Sequence, residues 1–314
     1  MATPPVLPPV PRHASEYDPN DLVVRKADQG LRISVCLPAR NEEATVGHIV
    51  ATVRRTLMET VPLVDEVVVI DDRSTDATAE AAAWEGARVL GVDDVLPETA
   101  PGAGKGNAMW KSLHATSGDL VCWLDADVRN FAPHFVTGLL GPLVTEPGTA
   151  FVKGYYRRPL HGEPTGGGRV TELVARPLLS VLFPELTGFI QPLGGEYAGR
   201  RDVLEVVPFV EGWGVEIGLL VDIVARVGLG ATAQVDLGVR EHRNRPIEDL
   251  ASQGMEVLLT ALRRAGVGRR DLPTTLVRFD DDHEKLLVPV EARERPPMLS
   301  VPEYQEKFGR ELTA

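Results

Sequence analysis

The feature that most constrains this chain is a series of short apolar runs, each closing on an acid or a turn residue, with helix-like stretches between them. Residues 31–38 form the first run, and Pro38 ends it. Asn41, Glu42 and Glu43 then open a predicted helix to about Thr60, with acids in the first turn where the helix dipole favours them. Residues 66–71 are a second buried strand and residues 87–90 a short third, separated by an alanine-rich helix through Trp84 that Ser74 or Asp76 can cap. The glycine-rich turn 102–105 precedes a helix over residues 107–115, and Val121, Cys122, Trp123 and Leu124 make a fourth strand. Strands alternating with helices at these spacings predict βαβ units, a parallel sheet and an α/β fold class.

The fourth strand stops at Asp125, with Asp127 one residue beyond. In open α/β sheets ligands bind outside the carboxyl ends of the strands. Two carboxylates so spaced can face one metal ion, and Mg²⁺ is usually shared between one or two carboxylates and the phosphates of a substrate. Read alone, the same triplet is a strand followed by an acidic turn. The first 130 residues lack the Gly-X-Gly-X-X-Gly fingerprint after the first strand, and Gly102-Ala-Gly-Lys-Gly106 lacks the spacing and hydroxyl residue of a P-loop. Both observations weigh against a dehydrogenase or an NTPase.

The second half opens with a strand over residues 150–156. Gly166, Gly167, Gly168 and Arg169 then lead into a helix over 170–181. Backbone N–H groups at such a start can receive an anion, and an arginine adds a fork that matches phosphate or carboxylate; the bland alternative is a helix-initiating turn. A turn-rich segment, 192–197, precedes a helix around 202–207. Trp213 and Glu216 lead into a helix over 217–227 with one apolar stripe, and Glu216 alone reads as a helix-dipole acid. Residues 231–239 alternate as a half-buried strand. His242 follows among three arginines, where a lone histidine is more often structural than a ligand, and Pro246 starts a last long helix to about Ala265. The division expected is a proline-rich arm outside the core (1–28), a nucleotide half (29–148), an acceptor half (149–268) and a tail (269–314) that is surface-bound, partly ordered or involved in assembly.

Hydrophobic content of 43% and charged content of 25% suit an ordinary globular protein. A net charge of −12 argues against a broad basic surface for nucleic acid, though not against a phosphorylated substrate met by a local basic cluster. Cys36 and Cys122 both lie in apolar runs, so they are expected as small hydrophobes with neither a disulfide nor a zinc site. With no apolar run long enough to span a bilayer and no basic-then-apolar leader, the expectation is a cytoplasmic protein without a membrane anchor.

Eight stretches carry a resemblance: Leu37-Pro-Ala-Arg-Asn-Glu-Glu43, Asp72-Arg-Ser-Thr-Asp76, Gly104-Lys-Gly106, Asp125-Ala-Asp127, Tyr156-Arg-Arg-Pro-Leu160, the segment 166–179, the segment 212–220 and the segment 237–246. In this order they resemble the retaining GT-A glycosyltransferases, specifically the actinobacterial glucosyl-3-phosphoglycerate synthases. The resemblance implies a Rossmann-like, mixed but mostly parallel sheet flanked by helices, with a more helical acceptor-binding C-terminal half. The chain departs from the family pattern at Asp72-Arg73-Ser74, where Ser-Gly-Ser is usual, and at Trp213, where Tyr is usual.

What the resemblance implies for the site follows residue by residue. Pro38, Ala39, Arg40, Asn41 and Glu42 correspond to the nucleoside wall and ribose contacts, and Asp72 and Lys105 to base contacts. Asp125 and Ala126 correspond to donor contacts, and Asp127 with His242 to a metal pair for Mg²⁺ or Mn²⁺. Trp213 and Glu216 face the donor sugar, and Arg240 lies near its pyrophosphate. Gly168, Arg169, Val170, Thr171 and Asn244 correspond to acceptor contacts. Glu216, as a steering group rather than a nucleophile, and Leu193, through its backbone carbonyl, are the implied catalytic positions. The implied reaction moves glucose from UDP-glucose to the 2-hydroxyl of 3-phosphoglycerate in a homodimer. Mannosyl transfer from GDP-mannose, a polyprenyl-phosphate sugar transferase and a non-catalytic nucleotide-sugar-binding protein are the alternatives.

Overall fold

The computed structural model describes residues 10–160, 163–242, 246–268, 272–280 and 282–309. Its centre is an eight-stranded sheet. In chain order the strands are β1 (Pro11–His13), β2 (Ile33–Ala39), β3 (Glu66–Asp71), β4 (Arg88–Gly91), β5 (Leu120–Trp123), β6 (Phe151–Arg157), β7 (Tyr197–Arg200) and β8 (Thr232–Val239). They lie side by side as β1-β8-β6-β7-β5-β2-β3-β4. β7 runs antiparallel to both neighbours, β5 and β6, while every other pairing is parallel. The sheet is thus mixed and mostly parallel, as expected, and it runs without a break through the expected division at residue 149.

The ten helices among the described residues are α1 (Pro19–Asp28), α2 (Val46–Thr52), α3 (Thr78–Trp84), α4 (Lys105–Ala115), α5 (His134–Thr145), α6 (Arg176–Leu182), α7 (Arg201–Leu204), α8 (Val215–Val227), α9 (Ile247–Arg264) and α10 (Pro302–Phe308). Alternation along the central strands feeds two cores. Cys36, Val68, Ile70, Val121 and Trp123 point into one, with α4 and α8. Val35, Leu37, Val67, Val69, Cys122 and Leu124 point into the other, with α2 and α5. Both cysteines are free and buried.

Three expectations are corrected. Residues 10–28 of the expected arm are part of the fold, residues 1–9 lying outside the described residues: β1 pairs with β8 from Pro11↔Gln234 to His13↔Asp236, and Leu22 of α1 is buried. The two prolines among its described residues sit where proline fits, Pro11 on the edge strand and Pro19 at the first helical position after Asp18, whose carboxylate accepts from Asn20 N at 2.8 Å. The helix after β2 begins at Val46 rather than Asn41, then continues π-wound over Val53–Thr60. Asn41 takes φ 57°, and the backbone N–H groups of Asn41 and Glu42 donate to Ser74 Oγ and Thr78 Oγ1 at 3.0 and 2.8 Å. Those bonds across to the next turn replace a helical start.

The tail is not confined to the surface either. After the hairpin Thr275–Phe279/Lys285–Pro289, Met298 and Tyr304 enter the core beside α4. Tyr304 OH donates to Glu205 at 2.7 Å, and Trp110 Nε1 donates to Pro296 O at 2.8 Å. The helix expected over 170–181 opens with a π turn, Thr171–Ala175, before α6.

Candidate active site

A cleft of about 790 Å³ opens at the carboxyl ends of β2 and β5. These strands lie on either side of the order reversal, where an open α/β sheet leaves a crevice. On the β2 side its wall is Pro38, Ala39, Arg40, Asn41 and Glu42. Asp72 stands just past β3, buried, accepting from Gly104 N at 3.0 Å and from Arg73 Nη1 at 3.1 Å. Arg73, held at φ 58°, also grips Asp93 and the Gly102 carbonyl. The turn after β3 is thereby lashed to the turn that starts α4.

The floor is a chain of charges. Lys105, at the start of α4, lies 2.5 Å from Asp125 Oδ1 and 2.7 Å from Glu216 Oε1 in the first turn of α8. Arg240, just past β8, reaches Asp125 Oδ2 at 2.7 Å and Asp127 Oδ1 at 2.6 Å through one nitrogen. Its Nε lies 2.8 Å from Glu196 Oε1. Glu196 is bonded in turn by Tyr156 OH at 2.5 Å, and Arg158 Nη2 donates to that hydroxyl at 2.8 Å. Burial works against the Lys105 charge, but Asp125 and Glu216 outweigh it and hold the ammonium well above the ordinary lysine value. Burial likewise pushes the Asp125 carboxyl up, and Lys105 and Arg240 overcome it, leaving Asp125 ionised below its usual range. A strong anion field and its counter-cations thus share one desolvated floor.

At the opposite end Gly168, Arg169, Val170 and Thr171 line the cleft, with Gly168 at φ 79° just before the π turn. Leu193, Trp213 and Ala126 also line it. Trp213 is placed by Glu256 of α9, which accepts from the Trp213 backbone N at 2.5 Å. His242 lines the mouth, and its buried Nδ1 has no hydrogen-bond partner. Burial first, and then the Arg240 charge, pull the imidazole down to about 4, so it is neutral at pH 7. Asn244 lies outside the described residues.

Comparison with known proteins bears on this constellation. Residues 34–169 match the family model for glycosyl transferase family 2. The glucosyl-3-phosphoglycerate synthase of Petrotoga mobilis is 46% identical over 312 residues, covering 95% of this chain and 96% of that one. The chain belongs to the glucosyl-3-phosphoglycerate synthase family. Its counterpart from Mycolicibacterium smegmatis is 49% identical over 90% of this chain and 93% of its own. The crystal structure of the Mycobacterium tuberculosis glucosyl-3-phosphoglycerate synthase in complex with Mn²⁺, UDP-glucose and phosphoglyceric acid superimposes with TM-score 0.85 at 45% identity, covering 97% of this chain and all (100%) of that one. A second structure of that synthase, with Mg²⁺ and UDP, gives 0.85 at 44% identity over 96% of this chain and 99% of that one.

The residues fit a divalent cation such as the Mn²⁺ or Mg²⁺ in the structures of the Mycobacterium tuberculosis synthase. Asp127 offers hard carboxylate oxygen, and His242 offers a neutral imidazole with an orphaned nitrogen, which is the ligating form. Among the described residues no group of three or more His, Cys, Asp or Glu side chains is set to hold a metal. A two-residue protein set leaves the remaining positions to phosphate oxygens, the usual arrangement for such ions at nucleotide sites.

Several side chains escaped the sequence reading. Glu196, Tyr156 and Arg158 carry the network behind Arg240, Glu256 places Trp213, and Lys153 lies buried beneath the cleft. Lys153 Nζ donates to the Gly194 carbonyl at 2.6 Å and sits 4.4 Å over the Tyr197 ring. A lysine inside the apolar run Phe151-Val152-Lys153 was the one local signal available. Glu196 and Glu256 give none, because their meaning comes from partners brought by the fold.

Proposed function

We propose that this chain is a retaining, metal-dependent glucosyltransferase that moves glucose from UDP-glucose to the 2-hydroxyl of 3-phosphoglycerate, giving glucosyl-3-phosphoglycerate. The observation that carries the reading is the meeting in one cleft of the Lys105–Asp125–Arg240–Asp127 chain with the glycine–arginine turn at Gly168 and Arg169. Relatives of that activity match it along nearly its whole length.

In this reading the bond from the glucose C1 to the diphosphate oxygen breaks, a bond from C1 to the acceptor's 2-oxygen forms, and the hydroxyl's proton passes to the departing diphosphate. The leaving UDP gains negative charge, which Arg240 neutralises from the floor; Lys105, expected as a base contact, is instead held in that floor by Asp125 and Glu216 and adds to the positive field. Preorganised groups of this kind contribute about 10²–10³ each in rate. The divalent ion, held by Asp127 and His242 when bound, adds Lewis-acid stabilisation of the same charge. The wall from Pro38 to Glu42, with Asp72, seats the nucleoside. Trp213 and Glu216 orient the sugar, and Glu216 is occupied by Lys105 rather than poised as a nucleophile. Gly168, Arg169, Val170 and Thr171 receive the acceptor's phosphate, and the Leu193 carbonyl orients its hydroxyl. Asn244 is assigned to the acceptor on sequence alone.

The test is product formation from 3-phosphoglycerate with UDP-glucose or GDP-mannose, each with and without Mg²⁺ or Mn²⁺. A phosphorylated glucosylglycerate that needs UDP-glucose and metal is expected. Preference for GDP-mannose would overturn the donor, and no product from either would overturn the reading.

The reading extends to a cytoplasmic homodimer that acts without a membrane or nucleic acid. No helix among the described residues is long and apolar enough to cross a membrane. Val277, Phe279 and Leu287 leave an apolar face on the hairpin, 47%, 64% and 61% exposed, which supports self-association. Sedimentation at micromolar concentration should give twice the chain mass; a monomer there would remove the dimer.

A further inference from the structure

The reading above accounts for the acceptor's phosphate and its hydroxyl but assigns no group within the described residues to its carboxylate. Arg158 stands where that group must lie. It lines the cleft and backs directly onto the glycine turn: Gly167 N donates to the Arg158 carbonyl at 3.2 Å, and a Cβ on Gly168 would lie 3.8 Å from Arg158 Nη1. Its guanidinium also joins the other end of the site, through Tyr156 OH and Glu196 to Arg240, which reaches Asp125 and Asp127. It therefore spans the gap between the turn that receives the phosphate and the carboxylates at the reacting centre.

The side chain is fixed there without being satisfied. Nη2 is anchored on Tyr156 OH, which is held by Glu196, and the guanidinium lies 5.0 Å from the Tyr156 ring centroid. Nε is buried with no hydrogen-bond partner. A buried, unpaired guanidinium N–H is costly to keep unless something accepts from it. In a 2-hydroxy acid the carboxylate and the reacting hydroxyl sit on adjacent carbons. An acceptor that places its phosphate at the Gly168 turn and its hydroxyl beside Asp125 brings its carboxylate to the span Arg158 covers. A planar fork is the natural partner of a carboxylate.

We propose that Arg158 is a specificity residue that binds the acceptor's carboxylate, so that the cleft selects a phosphorylated 2-hydroxy acid over a phosphorylated polyol. This rests on the acceptor class proposed above.

The test uses the full-length enzyme, wild type and Arg158→Lys and Arg158→Met, in the presence of UDP and Mn²⁺. Calorimetry measures the affinities for 3-phosphoglycerate and for glycerol 3-phosphate, which keeps the phosphate and replaces the carboxylate by a hydroxymethyl group. Wild type should prefer 3-phosphoglycerate by roughly 10²-fold, the size of a desolvated charge pair. Arg158→Met should lose that preference by weakening 3-phosphoglycerate alone, and Arg158→Lys, which keeps the charge without the fork, should fall between. Affinity for UDP should stay within a few-fold. Equal weakening of both acceptors, a preference retained in Arg158→Met, or a loss of UDP affinity in both variants would each overturn the assignment. Should Arg158→Met fail to fold, Arg158→Lys alone decides, since an undiminished preference there removes the fork's role. Wild type that binds neither acceptor would instead overturn the proposed acceptor class.

Discussion

Lys105 and Glu216 meet at 2.7 Å across the floor of the cleft, joining the first turn of α4 to the first turn of α8. With Asp125 at 2.5 Å on its other side, this lysine neutralises two carboxylates that the fold places in a desolvated pocket. Lys105→Met should lower kcat by about 10²–10³. It should also destabilise the protein in a pH-dependent way. Asp125 is held ionised below its ordinary value, so its contribution is present above the unfolded carboxyl range and fades as pH falls. The penalty of the substitution should therefore be constant from pH 7.5 down to about pH 4, the ordinary carboxyl value, and shrink below it in urea titrations. A pH-independent penalty would mean that Lys105 acts through packing.

Glu196 anchors Arg240 from behind at 2.8 Å and is wholly buried, as is the Tyr156 hydroxyl that bonds it. Removing one partner of such a pair leaves an uncompensated buried charge. Glu196→Ala should cost about 3–5 kcal/mol in chemical denaturation. Glu196→Gln keeps a hydrogen-bond acceptor and should cost less. In that milder variant kcat should fall as Arg240 loosens, and the KM for the acceptor should rise, because Glu196 also holds the Tyr156 hydroxyl that anchors Arg158. Native-like turnover in Glu196→Gln would show that Arg240 needs no support.

The metal pair makes a separate prediction. His242→Ala should abolish Mn²⁺ binding in the presence of UDP, followed by electron paramagnetic resonance, and should leave the melting temperature in metal-free buffer within a few degrees. Chelation of wild type should reproduce the loss of turnover. Undiminished Mn²⁺ binding by the variant would take His242 out of the metal site.

What the sequence made legible and what it hid divide along physical lines. The strands β2, β3 and β5 were readable because helices cover both faces of the sheet, so nearly every residue in them is apolar. Asp125 and Asp127 were readable because a strand end marks a crevice. The placement of β7 was not: Tyr197–Arg200 is a short strand whose assignment depends on antiparallel pairing with β5 and β6, partners far away in sequence. The arm and the tail were misjudged because proline and charge read as surface. In fact Pro19 starts a helix, and Arg295 reaches into the core to Asn107 and Glu211, both at 2.9 Å. Glu196 and Glu256 lie on no periodic pattern that distinguishes a partnered buried acid from a solvated one.

Gly195 tests how tightly the floor is built. A Cβ there would meet Asp125 Oδ2 at 2.2 Å, closer than any real contact. Asp125 cannot retreat without breaking its bonds to Lys105 or Arg240. Gly195→Ala should therefore reduce kcat by at least roughly 10²-fold, the scale of losing one preorganised charge contact. Circular dichroism should show the fold retained, and turnover within a few-fold of wild type would show that the loop can give way.

Lys153 offers the last test, and its sign differs from that of Lys105. Burial lowers this lysine to about 7, since its nearest partners are the Gly194 carbonyl and the face of Tyr197 rather than a carboxylate. An unfolded chain would bind the same proton up to the ordinary lysine value, about 10.4. Between about pH 7 and that value the unfolded state holds more protons, so Lys153 makes stability rise with pH through this window. Below pH 7 both states are protonated, and the penalty, up to about 5 kcal/mol, is constant. Lys153→Met removes the titration and with it the slope. The stability difference, variant minus wild type, should be most positive at pH 6 and decline steadily towards pH 9.5, whatever fixed cost comes from losing the bond to Gly194. A difference that stays flat across that range would mean that Lys153 remains charged in the folded protein throughout.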